Sequence, residues 1–169
     1  MPEPPAKRYW DSSAFLAWIK GEAGRADTCE SIVNDAQRGA SVIYTSMITL
    51  AEVTKTRRGS VAVSKEVETK ITSFFMNEYI RLIPVDHVIG TRARRLIWDF
   101  PFLAARDAIH IATALQVQAD AIEHYDNDFA RVANEVSERQ TAGFPPIREP
   151  QWTGQPTLPG TEPTPPPAG

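Results

Sequence analysis

Between Arg8 and Val136 the chain alternates strand-length apolar runs with segments of helical period, and this alternation most restricts its fold. Tyr9–Trp10, Ser41–Tyr44, Ile80–Val85 and Ala121–Tyr125 read as strands. A helix capped by Ser12 or Ser13 presents Phe15, Trp18 and Ile19. A second shows Cys29, Ile32, Val33 and Ala36, and stops at Gly39. Ser46 is expected to cap a helix with Met47, Leu50, Ala51 and Thr54 on one face, and the next carries Val67, Ile71, Phe74 and Phe75. Asp86 caps a helix with Ile89, Ala93, Leu96 and Ile97 inside. Ala104–Val117 is apolar nearly all round and reads as buried, and the last helix shows Phe129, Val132, Ala133 and Val136. Strands alternating with helices imply an α/β fold: a mostly parallel sheet of about four or five strands, helix-covered on both faces.

Proline marks the expected edges. Of 14 prolines, only Pro84 and Pro101 fall between Ala6 and Phe144. The reading is a disordered extension over 1–7, one domain over 8–144 and a Pro-rich tail over 145–169, expected to be disordered or polyproline-like. A net charge of -3 excludes a generally basic nucleic-acid binder but leaves room for a local basic patch. The single Cys29 cannot form an internal disulfide, and no charged-then-apolar leader or membrane-length apolar run is visible, so a cytoplasmic protein is expected.

The chemistry rests on four acids: Asp11, Glu52, Asp107 and Asp126. Asp11 follows the first strand and Asp126 the last. Glu52 lies on the helix after Ser41–Tyr44, and Asp107 opens the buried helix, where the dipole favours an anion. In an open α/β sheet, ligands bind beyond the carboxyl ends of the strands, so all four can face one crevice. Clustered carboxylates repel one another, and gathering them points to a hard divalent cation such as Mg²⁺ or Mn²⁺. Such an ion polarises a phosphoryl oxygen and activates a water for attack at phosphorus. Taken singly, Asp11 and Asp107 also read as helix caps, Asp128 as a cap for the last helix, and His110 as a satisfied core histidine. No Cys/His set suggests structural zinc, and neither a phosphate-binding Gly-Lys loop nor a nucleophile elbow is present.

Four ordered blocks carry a family resemblance. YWDSSAFLAWI, TSMITLAEV, RDAIHIATA and HYDNDF together resemble the PIN-domain nucleases, and within them the VapC-type toxins of bacterial toxin–antitoxin pairs. The resemblance covers about Arg8 to Val136. It implies a single PIN-like domain with Asp11, Glu52, Asp107 and Asp126 as catalytic, metal-holding residues, with Ser13 and Asp128 in support. It also implies a homodimer and a cognate antitoxin inserted near the acids. In the last block Glu123 and His124 depart from the family pattern. A Glu in a covered strand is costly unless paired or at an edge. His124 offers a hydrogen bond to the metal site or a phosphate contact, against the blander reading of a half-exposed histidine at a strand end.

An RNA substrate needs a positive rim. Lys55, Arg57, Arg58 and Arg106 stand near the acidic positions, and Arg92, Arg94 and Arg95 form a second cluster. The sequence thus reads as a metal-dependent endoribonuclease. Two alternatives remain: a non-catalytic PIN-like RNA-binding or docking module, and a phosphatase of the haloacid-dehalogenase type. The latter wants a second Asp where Ser13 stands.

Overall fold

A computed structural model describes residues 4–54 and 64–154. The strands are β1 (Ala6–Trp10), β2 (Ser41–Ser46), β3 (Ile80–Ile83), β4 (Ala121–Glu123) and β5 (Ile147–Arg148). They form one parallel sheet in the order β3-β2-β1-β4-β5. The helices are α1 (Ser12–Ile19), α2 (Ala26–Gln37), α3 (Thr49–Glu52), α4 (Lys65–Phe75), α5 (His87–Asp99), α6 (Ala105–Gln116) and α7 (Asn127–Glu138). None of them is long and apolar enough to cross a membrane.

Two cores result from the period-2 alternation of the strands. Tyr9, Tyr44, Ile83 and Ile122 face α5, α6 and α7, where Ile89, Leu96, Ile111 and Phe129 pack. Trp10, Ile43 and Leu82 face α1, α2 and α4, where Phe15, Ile32, Phe74 and Phe75 pack. The Phe15 ring meets Trp10, Phe74 and Phe75 at centroid distances of 5.2, 5.8 and 5.1 Å. Strand order turns back at β1, with β2 on one side and β4 on the other. That switch point opens a crevice between the carboxyl ends of β1 and β4.

Three expectations are corrected. Asp11 itself, not Ser12 or Ser13, caps α1: its Oδ1 accepts the Ala14 N–H at 3.1 Å. Ser46 ends β2 rather than capping a helix, and the helix that follows is a single turn. Its Met47, Leu50, Ala51 and Thr54 face outward, while Thr49 and Val53 are buried. One turn is too short for its period to settle which face is inside. The third correction concerns the tail. Residues 145–154 are built onto the domain, with β5 as the fifth strand. The Ile122 and His124 N–H groups donate to the carbonyls of Pro146 and Arg148 at 2.8 and 3.0 Å. Proline cannot donate, but on an edge strand it can still accept. The Trp152 indole N–H then reaches Asp35 Oδ2 at 2.8 Å. The rest of the tail, and Lys55, Arg57 and Arg58, lie outside the described residues.

Glu123 meets the condition its sequence position imposed. It is fully buried, and Arg8 Nη1 lies 2.6 Å from its Oε1 while the Trp10 indole N–H donates to Oε2 at 2.8 Å. Arg8 Nη2 also donates to the Gln151 carbonyl at 3.0 Å, tying the tail segment to β1. Breaking a buried pair from one side leaves an uncompensated charge, costing about 3–5 kcal/mol. We predict a loss of that size for Arg8→Met in urea unfolding, largely recovered in the Arg8→Met/Glu123→Gln double variant. An Arg8→Met protein as stable as the parent would show that the pair is not what holds Glu123 in place.

Candidate metal centre

The crevice is a hollow of about 370 Å³ whose lining includes Asp11, Glu52, Asp107, Asp126 and Arg106. Two larger hollows, beside Trp152 and beside Phe144, gather no comparable set of acids. All four acids singled out from the sequence therefore meet at one place.

Each acid is held by identifiable partners. Asp11 is buried at the start of α1. The Ser13 hydroxyl donates to its Oδ1 and Oδ2 at 2.7 and 2.9 Å, and Ser13 Oγ accepts the Tyr125 N–H at 2.7 Å. Ser13 thus ties the segment after β1 to the segment after β4. Asp126 caps α7, its Oδ1 accepting the Asp128 N–H at 2.8 Å. Glu52 ends α3. Its Oε2 accepts from His110 Nε2 at 2.7 Å and from the Ser12 hydroxyl. Asp107 differs from the rest. The N-cap of α6 is Ala104, so Asp107 is not the cap the simpler reading made it. Its Oδ1 has Arg106 Nε at 3.4 Å, and its Oδ2 is buried with no hydrogen-bond partner among the described residues. Buried polar atoms are nearly always satisfied, so an orphaned carboxylate oxygen on a residue that lines an acidic crevice fits a cation ligand.

The electrostatics agree with that fit. Burial pushes the Asp11 carboxyl up to about 6, against the pull of the Ser13 hydrogen bond. Burial also raises Asp107, opposed by Arg106 and reinforced by the charges of Asp126 and Glu52. For Glu52, burial pushes upward, but the hydrogen bonds from His110 and Ser12 and the Arg106 charge oppose it, and the group ends lowered. Among the described residues, no three His, Cys, Asp or Glu side chains are already drawn together into a closed ligand cluster. The acids instead line an open crevice, and carboxylate oxygens are the donors that hard divalent cations prefer.

The supporting residues divide. Ser13 and Arg106 are at the crevice, with Arg106 Nε 3.9 Å from Glu52 Oε1 as well. Asp128 is exposed and does not line it. His124 lies behind it, stacked on Phe129 at 5.1 Å, with Nδ1 accepting the Asp126 N–H at 3.1 Å. Burial lowers its pKa, so it is a neutral support for the Asp126 backbone. The sequence reading missed Ser12 and the role of His110. His110 is buried, as a core histidine would be, but it is bonded to an acid of the site.

A family model described as PIN domain matches residues 8–135. Among curated proteins none matches this sequence. Solved structures match in fold. The Mycobacterium tuberculosis protein VapC20, described as a toxin that cleaves the sarcin-ricin loop, is 16% identical at a TM-score of 0.57, covering 74% of this chain and 94% of its own. VapBC2 from Rickettsia felis, bound to a DNA fragment from its promoter, is 14% identical at a TM-score of 0.58, covering 85% and 97%. FitAcB from Neisseria gonorrhoeae is 14% identical at 0.52, with the same coverage. At these identities the likeness is one of fold.

Proposed function

Because this chain belongs to the PIN-domain family, we propose that it is a Mg²⁺- or Mn²⁺-dependent endoribonuclease of the cytoplasm, the toxin of a toxin–antitoxin pair. One observation carries the reading: four acids from four separate segments line one crevice, and one of their buried oxygens has no partner. Asp11 and Asp107 are the principal metal ligands; Glu52 and Asp126 act through water or hold a second ion. When bound, the metal polarises the phosphodiester and supplies an activated water. The chain's own residues do the positioning. Ser13 fixes the Asp11 carboxylate, His110 and Ser12 fix Glu52, and His124 fixes the backbone at Asp126. Arg106 is 65% exposed and stands at the rim, so it can turn from the acids to a substrate phosphate once a cation neutralises them. VapC20's description as a toxin that cleaves the sarcin-ricin loop supports RNA as the substrate class, and a cognate antitoxin as partner belongs to the same reading. A homodimer is supported by exposed Met47, Leu50, Val85 and Val88, which leave the β2–β3 side of the sheet at its carboxyl end.

The test begins with chelator-stripped protein. A ligand that binds only the folded state adds about 2.7 kcal/mol at a hundredfold excess over its dissociation constant. That corresponds to roughly 5–11 °C in melting temperature for a chain of this size. Mn²⁺ is expected to give such a rise, chelator to reverse it, and structured RNA to be cut only with the ion present. Absence of both stabilisation and cutting at millimolar Mn²⁺ would overturn the proposal. RNA binding without cutting at saturating metal would favour the non-catalytic docking module.

A further inference from the structure

A buried chain of hydrogen bonds ends on Glu52. The Ser46 N–H donates to Tyr9 Oη at 3.1 Å, Tyr9 Oη lies 2.8 Å from His110 Nδ1, and His110 Nε2 lies 2.7 Å from Glu52 Oε2. These groups come from β2, β1, α6 and α3, so the chain links elements distant in sequence. Tyr9 is fully buried and His110 2% exposed. We infer that Tyr9 and His110 are positioning residues that aim the Glu52 carboxylate, leaving only Oε1 free to meet a divalent ion; this rests on the metal-site reading proposed above.

Tyr9 Oη accepts from Ser46, and a Tyr9 hydroxyl proton directed at His110 Nδ1 completes the chain. An imidazole that accepts at Nδ1 carries its proton at Nε2, and that proton points at Glu52. Oε2 takes a second donor, the Ser12 hydroxyl. With both donors on Oε2, the carboxylate is locked in rotation. Glu52 lines the crevice, and among the described residues Arg106 Nε is the cation at Oε1, at 3.9 Å. Outer partners of ligand groups are typically worth 10–100-fold in metal affinity, because they hold the ligand in its binding orientation.

The experiment is calorimetric titration of Mn²⁺ into stripped full-length protein, with a melt in chelator for every variant. His110→Leu is expected to weaken Mn²⁺ binding at least about tenfold. His110→Gln, whose amide N–H₂ reaches toward the same Glu52 oxygen, should retain most of the affinity. His110→Asn keeps the Tyr9 side but falls short of Glu52, and should behave like Leu. Tyr9→Phe should give an intermediate loss, because the imidazole proton is no longer assigned by its neighbour. The Gln and Asn variants preserve polarity and volume, so their comparison stands even if the Leu variant does not fold. Equal Mn²⁺ affinity in folded Gln, Asn and parent proteins would overturn the inference and leave His110 a structural residue. A parent protein that takes up no Mn²⁺ would overturn the metal reading, and this inference with it.

Discussion

Asp11→Asn is expected to melt higher than the parent in chelator at pH 7, and to bind no Mn²⁺. The carboxyl is buried, and its pKa is raised from 3.8 to about 6. A raised acid is held more tightly by the folded state, so its stabilising contribution is present at low pH and lost as pH rises through about 6. At pH 7 the charged carboxylate therefore costs about 3 kcal/mol. Asparagine removes that charge and still accepts the Ala14 N–H, since Asp and Asn cap about equally. The expected gain is roughly 6–12 °C at pH 7, shrinking toward zero near pH 4. In the parent, Mn²⁺ has to displace the proton, so its apparent affinity should fall as pH drops below about 6. A variant that melts lower and still binds Mn²⁺ would make Asp11 a helix cap and nothing more.

The α/β class, the parallel sheet and most helix faces were legible because period and cap chemistry are local. The alternation of Tyr9 and Trp10 places one ring in each core, as period 2 requires. Glu123 looked misplaced in a covered strand, and its partner is two residues before Trp10. What escaped was non-local or too short. The strand Ile147–Arg148 is flanked by prolines and is recruited through carbonyl groups, which leave no mark on side-chain pattern. The single turn of α3 has too few residues for its period to tell inside from outside, and its apolar Met47 and Leu50 side stands exposed.

The acids were legible for a related reason. Asp11 and Asp126 both cap helices, each through one oxygen, the α7 cap falling to Asp126 and not to Asp128 as expected, and cap geometry is what delivers their carboxylates to the ends of β1 and β4. Cap and ligand are therefore not competing readings at those positions. His110 was opaque: nothing on its own helix reveals that its two ring nitrogens are matched to groups on β1 and α3.

Asp107→Asn tests the central claim, that carboxylates at this crevice bind a cation that drives RNA cleavage. The substitution breaks no helix cap, because Ala104 holds that position, and Oδ2 has no hydrogen bond to lose. Asparagine keeps the shape and removes one charge. Burial raises the Asp107 carboxyl, so the chelated variant should be somewhat more stable than the parent at neutral pH. A ligand made only in the loaded site should matter far more to activity. Removing a group that acts in the transition state commonly costs about 10²–10³ in rate, and loss of the ion itself costs more. The measurement is cleavage of one structured RNA by parent and Asp107→Asn protein across a Mn²⁺ titration, beside melting of both in chelator. The account predicts a variant that is folded, equally or more stable, and at least a hundredfold slower at every Mn²⁺ concentration. A variant that cuts at the parent rate would contradict it.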